Sequence, residues 1–288
     1  MIKTILQCPN CLKALRQGEK QYFCPSGHNF DIARKGYVNL LLASHTGAGN
    51  PGDTKEMLQS RRDFLNKGYY ETFSDSLNTI VSLADLQSNN LQSLPEAKDS
   101  PVISYNILDA GCGDGYYISR LRQSLSEDKE KINFYGTDVS KDAINYAAGR
   151  DKAIRFAVAS SYHLPVLNNT IDYILCIFAP RDEQEFIRIL KPSGKLIVAV
   201  PGSRHLFGLK QMMYQEPEEI GVKGTVKQGF RLVTEKNVRY EIVLNDKQDI
   251  LNLFRMTPYY RHADAQALMN LDKLSTEVDI NILVYERV

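Results

Sequence analysis

Apolar positions fall into blocks whose period changes along the chain. From Thr54 to about Leu83 the spacing is helical: Met57, Leu58, Phe64, Leu65, Tyr69, Tyr70, Phe73 and Leu77 recur on one face, with a break near Gly68. Asp53 or Thr54 stands where a cap for the first helix is needed. From residue 105 onward, short apolar runs alternate with helical patterns. The runs predict strands over 105–110, Ile132–Asp138, Ile154–Val158, Ile171–Phe178 and Lys195–Val200. The intervening pattern predicts helices over Lys141–Arg150, with Ser140 as cap, and over Glu183–Leu190. Five strands alternating with helices imply an α/β fold with a doubly wound parallel sheet. Arg239–Leu244 and Ile280–Glu286 are candidates for an added antiparallel pair. Residues 44–53 and 84–104 are rich in Gly, Pro, Asn and Ser and read as loops. The resulting division is a small module over 1–44, a loop and helical linker over 45–100, and a large domain over 101–288.

Composition changes this picture little. The 288 residues carry 35 Lys+Arg against 34 Asp+Glu and are 43% hydrophobic. Such a chain can bury a full core, which excludes a mainly disordered, collagen-like or disulfide-dense protein. The net charge of +1 argues against a blanket binder of nucleic acid, although residues 1–50 hold six basic side chains against two acids. No apolar run approaches the roughly 18–20 residues of a membrane span, and no signal peptide is legible. The expectation is therefore a cytoplasmic protein with no membrane partner.

Cysteine usage adds chemistry. Cys8, Cys11 and Cys24 are joined by His28 in the pattern C-x2-C-x12-C-x3-H. Two tight turns, linked by the strand-like Gln21-Tyr22-Phe23, would bring three thiolates and one imidazole onto one Zn2+. Four protein ligands leave no open position, so the ion is expected to be structural. An odd count of five cysteines argues against a disulfide framework. Cys112 and Cys176 sit at core strand positions and read as packing residues.

The first strand of the large domain ends in Asp109-x-Gly111-x-Gly113-x-Gly115. Glycines on alternate positions after an acid suit close backbone approach to a ligand that has no phosphate there, and the acid suits its amino or sulfonium cation. Asp138 closes the second strand, where a carboxylate can accept from ribose hydroxyls. The Ala159-Ser160-Ser161 segment follows the third strand on the adenine side, and Leu190-Lys191-Pro192-x-Gly194 precedes the fifth. Together these resemble class I S-adenosylmethionine (AdoMet)-dependent methyltransferases over residues 102–201, with AdoMet as cofactor.

The whole chain resembles the RlmA family of 23S rRNA (guanine-N1) methyltransferases. The resemblance rests on the zinc and glycine motifs, Gly36-Tyr37-Val38-Asn39-Leu40, Asn50-Pro51-Gly52-Asp53, Arg61-Arg62-x-Phe64-Leu65 and Pro201-Gly202-x-Arg204-His205-Leu206. It implies a Rossmann-like methyltransferase domain with an N-terminal zinc module, acting on a 23S rRNA hairpin as a homodimer whose zinc modules flank an RNA cleft. It also implies AdoMet contacts at Tyr70, Gly113, Asp114 and His205. The Pro-Gly-Asp stretch is more like the family branch typified by Gram-negative bacteria.

Methyl transfer from a sulfonium is an in-line displacement in which positioning dominates. Guanine N1 must lose a proton, and its place on the pairing edge requires an unpaired or flipped base. The exit of the fourth strand, Phe178-Ala179-Pro180, is where class I enzymes meet their target. Ala179 and Pro180 are expected to wall the pocket, with Phe178 or Tyr37 stacking on the base. Asp53 is the first candidate proton acceptor and His205 the second. Arg61 and Arg62 are candidates for phosphate contact or for a solvated helix face. A methyltransferase for another RNA or a small molecule, and a non-catalytic RNA-binding protein retaining AdoMet, are the alternative classes.

Overall fold

The computed structural model describes residues 2–45, 52–81, 105–125, 132–214, 226, 228–261, 266 and 268–288. The loop expected over 84–104 lies outside the described residues.

The chain opens with β1 (Ile2–Gln7), β2 (Ala14–Gln17), β3 (Gln21–Phe23) and β4 (Asn29–Asp31), an antiparallel sheet in sequential order. The two-residue strand β5 (Val38–Asn39) follows. It leaves this module and pairs in parallel with β8 (Arg155–Val158) of the large sheet. The module is also tied to the large domain where Gln7 donates to the Pro165 carbonyl at 2.9 Å.

Helices α1 (Lys55–Asn66) and α2 (Glu71–Ile80) match the apolar spacing and the break between them. Thr54, not Asp53, caps α1: its hydroxyl accepts from the Met57 amide at 3.2 Å. Gly68 turns the chain at φ +85°, a conformation that favours glycine. Both helices bury apolar faces in the cluster that holds Ile107, Ile118 and Ile177, so residues 55–80 pack against the large sheet.

The large sheet runs β11-β12-β10-β9-β6-β7-β8-β5. Its parallel part comprises β6 (Tyr105–Ala110), β7 (Ile132–Asp138), β8, β9 (Ile171–Ile177) and β10 (Leu190–Pro201), as expected, with β5 as an extra edge strand. Helices α3 (Tyr116–Ser124), α4 (Lys141–Arg150) and α5 (Glu183–Ile189) alternate with these strands. The antiparallel pair is longer than the apolar pattern indicates: β11 (Phe230–Leu244) pairs with β12 (Leu274–Arg287) over fourteen partners. Residues 231–237 of β11 are exposed on both faces, so no alternation marked them as strand. Two helices escaped the sequence reading, α6 (Phe207–Met213) and α7 (Lys247–Arg255), the latter capped by Asp246.

Each sheet face has its own core. One face packs against α1–α4 and α7. The other packs against α5 and the zinc module, with Leu6, Cys8, Leu15 and Cys24 in one cluster with Leu108, Ile174 and Val198. Among the described residues, no helix is long and apolar enough to cross a membrane.

Candidate active site and zinc centre

The zinc ligands converge without rearrangement. Cys8 Sγ lies 3.5 Å and Cys24 Sγ 3.3 Å from His28 Nδ1, and Cys11 Sγ lies 3.7 Å from Cys24 Sγ. All four ligand atoms fall within 4.8 Å of one another. The ligand-to-ligand edges of a tetrahedral zinc with thiolate and imidazole donors are about 3.5–3.8 Å, so the set fits Zn2+. Each turn reverses through a left-handed residue, Leu12 at φ +60° and Gly27 at φ +84°. The Lys13 amide beside Cys11 pulls its thiol down to about 6, toward the ligating thiolate.

The second constellation forms at the carboxyl ends of β6, β7 and β9. Asp109 is 1% exposed, and neither carboxylate oxygen has a hydrogen-bond partner. Burial, reinforced by Asp138 and Asp114, pushes its pKa up to about 8. An orphaned buried carboxylate is costly unless a cationic group occupies the space before it, which fits the amino and sulfonium charges of AdoMet. Gly111 has φ +83°, and a Cβ there would collide with the Cβ of Ala179. The glycine thus brings the β6 turn against the exit of β9.

Asp138 is oriented by main-chain donors. Gly113 N–H reaches one oxygen at 3.0 Å and Ser140 N–H the other at 2.8 Å. Each oxygen retains acceptor capacity for a ribose hydroxyl. Ser160 is buried just past β8, adjoining Asp138 through the Ala159 N–H to Asp138 carbonyl bond of 2.9 Å. Asp114 behaves differently: its carboxylate is taken by Arg150, whose Nε also donates to the Asp114 carbonyl at 3.1 Å. Asp53 is ion-paired with Arg61, whose guanidinium also reaches the Met256 carbonyl at 3.3 Å and lies against Gly113. Arg61, partly exposed, thus lies over the glycine turn.

The exit of β9 carries Phe178, 41% exposed and held at φ +52°, followed by half-buried Ala179 and exposed Pro180. The Phe178 ring is stacked on His205, with centroids 5.9 Å apart and planes at 24°, and meets Phe73 at 5.8 Å. His205 is buried and has both nitrogens engaged. Its Nδ1 accepts from the Asp279 amide at 3.2 Å, which leaves the ring proton on Nε2, 3.3 Å from the Tyr70 hydroxyl. Burial holds its pKa down to about 4, so the ring is neutral and its Nε2 has no lone pair for a proton. In this tautomer His205 presents a donor, not an acceptor, toward Tyr70.

Tyr37 does not belong here. It is 7% exposed, packed in the core just before β5. Strand β5 stands four strand spacings from β9, about 19 Å at 4.8 Å per strand. It cannot share a base with Phe178. Sequence reasoning missed Phe73 and Asp279 as site residues; Phe73 lies within an ordinary helical pattern, and Asp279 sits in a strand remote in sequence. Cys112 and Cys176 are buried core thiols, the latter pushed up to about 12 by burial.

The chain matches two family models: "RlmA, N-terminal" over residues 6–46 and "Methyltransferase domain" over 103–256. It is 31% identical to a putative 23S rRNA (guanine-N(1)-)-methyltransferase of Micromonospora griseorubida, covering 97% of this chain and 95% of that one. It is 33% identical to the 23S rRNA (guanine(748)-N(1))-methyltransferase of Streptomyces fradiae, over 70% of this chain and 65% of the relative. A Bacillus subtilis putative 23S rRNA (guanine-N(1)-)-methyltransferase is 29% identical over 98% and 96%.

Proposed function

Because the chain belongs to the RlmA family of 23S rRNA (guanine-N1) methyltransferases, we propose that it methylates N1 of a guanine in a 23S rRNA hairpin. The observation that carries this reading is the buried, partnerless carboxylate of Asp109 in a turn that abuts Ala179. A pocket for a cationic cofactor and an open aromatic pocket meet there. AdoMet, when bound, supplies a methyl group on a sulfonium.

The chain's own residues position the partners. Asp109 balances the cofactor's positive charge, Asp138 accepts from its ribose, and Ser160 lies toward its adenine. Gly111 and Gly113 admit the close main-chain approach. The Asp53–Arg61 pair lies over Gly113, which supports a role for Asp53 in closing the cofactor pocket. With Asp114 committed to Arg150, its contribution is to brace the start of α3. Phe178 offers the exposed face on which a flipped base stacks, between Ala179 and Pro180. His205 is a positioning residue: its Nε2–H donates to the Tyr70 oxygen, so Tyr70 points its own proton onward. Cytoplasmic location and a homodimer complete the reading; light scattering of the purified protein would give a mass of two chains.

Primer extension on 23S rRNA from cells with and without this gene tests the reading. N1 methylation blocks the pairing edge, so the expected result is one stop at a guanine that vanishes on deletion and returns on complementation. Identical profiles would overturn it.

A further inference from the structure

Strand β12 outruns the sheet. Its pairing with β10 begins at Ile280, opposite Pro201, whereas residues 274–279 pair with β11 alone. This ribbon overhangs the carboxyl ends of the parallel strands, beside the Phe178 and His205 rings. The register sets Arg239, Glu241 and Glu277 on one face of the overhang. Between this face and the start of α6 lies a cavity of about 440 Å³, lined by Arg204, Gln211, Arg239, Tyr240, Glu241 and Glu277 among others. That size is within the range of small-ligand sites. The segment 202–206 runs along the free edge of this ribbon, with Gly202 N–H on the Asp279 carbonyl and Leu206 N–H on the Glu277 carbonyl, both at 2.7 Å. It sends Arg204 to Glu277 in the cavity and the His205 ring to Phe178, so one short segment borders both the cavity and the target pocket.

Glu277 gathers the lining. It accepts from Arg204 Nε at 3.0 Å and is also ion-paired with Arg239. The Arg204 guanidinium lies 4.3 Å over the Phe207 ring, flat against an aromatic wall. Two guanidinium groups face two carboxylates, those of Glu241 and Glu277, so the lining is electrically balanced. A phosphate gains little from such a surface. A neutral nucleobase edge, carrying both donors and acceptors, finds both kinds of partner there.

We propose that this cavity is a nucleotide subsite that takes a base flanking the target guanine and reads its edge through Arg239, Gln211 and the Arg204–Glu277 pair. The inference rests on the reading of the chain as an rRNA methyltransferase and assigns part of its sequence preference. The test uses 23S hairpin RNAs differing only at nucleotides flanking the target, with wild-type protein, Arg239→Gln and Gln211→Ala. It measures kcat/KM, RNA affinity across salt and AdoMet affinity by calorimetry. Arg239→Gln is expected to lose about tenfold in kcat/KM on the favoured flanking base and to flatten the preference among the four. Its salt slope and AdoMet affinity should match wild type. Gln211→Ala, on the opposite wall, should flatten the same position in a variant that disturbs no ion pair. A uniform loss with the salt slope reduced by about 1 would mean a phosphate contact and would overturn base reading. Unchanged kinetics in both variants would overturn the subsite. Failure of the wild-type protein to methylate any such hairpin would remove the functional reading first, and the subsite with it.

Discussion

The zinc centre and the cofactor pocket are both built from buried polar side chains, but they are assembled in opposite ways. The zinc ligands come from 21 consecutive residues, and each turn sets its own geometry through local hydrogen bonds such as Cys24 N–H to His28 carbonyl, 3.0 Å. The cofactor and target site draws Asp53, Tyr70, Asp109, Asp138, Phe178, His205 and Asp279 from most of the chain. The first is a chelate that stabilises a fold; the second is held together by the fold. It follows that zinc-site lesions should be felt as loss of stability, and pocket lesions as loss of binding or turnover.

The sharpest way to break that contrast is Cys24→Ser. Zinc should be lost, and the thermal midpoint should fall by roughly 10 °C, because structural zinc contributes folding free energy and the module shares a core with the large sheet. Metal analysis and calorimetry would check both. An unchanged midpoint would mean that the module is an appendage.

Asp109→Asn comes next, with zinc content intact and AdoMet affinity reduced by roughly 100-fold, as for a buried charge left without its counterpart. The pH dependence sharpens the point. A carboxyl whose folded pKa is about 8 keeps a proton that the unfolded chain releases near 4. The cofactor-free protein therefore loses stability as pH rises from about 4 to 8. AdoMet binding should strengthen as pH rises toward 8, and the Asn variant should lose that dependence. Titration calorimetry at several pH values would show it.

His205→Gln should lower kcat by about tenfold while sparing zinc and leaving the midpoint within a few degrees, consistent with loss of one positioning hydrogen bond. In the wild type the imidazole is held down to about 4, below its unfolded value. Its contribution to stability is complete above about 6.5 and is lost as pH falls toward 4. Activity should show no histidine limb between 5 and 8. The smallest effect is expected of Asp53→Asn: a severalfold rise in KM for AdoMet with kcat within about twofold, since the side chain is partly exposed and only its ion pair is removed. A collapse of kcat at constant KM would return Asp53 to the role of base.

The same contrast explains what could be read from the residues. Cys8, Cys11, Cys24 and His28 were legible because their spacing is their geometry. Asp109, Asp138 and the Phe178 exit were legible because a strand end fixes where its next side chain goes. Tyr37 was misplaced because an aromatic residue in a glycine turn gives no sign of which sheet edge its strand will join. The tautomer of His205 was not legible because it depends on the Asp279 amide, 74 residues away. Strand β11 was only half seen, because its residues 231–237, bathed in solvent on both faces, carry no apolar period.

Strand β5 bears on how this protein can be cut. Only two residues long, it covers the outer edge of β8 and is continuous with the zinc module through residues 32–37. A catalytic fragment begun at residue 45 would strip that cover, leave the backbone of β8 unpaired along one side and uncover apolar surface beneath the module. Open edges of this kind recruit other chains. Anyone wishing to transplant the module, or to express the large domain alone, must carry residues up to Leu40 with the sheet. The seam between the two parts runs through the middle of what looks, on paper, like the zinc module's own tail.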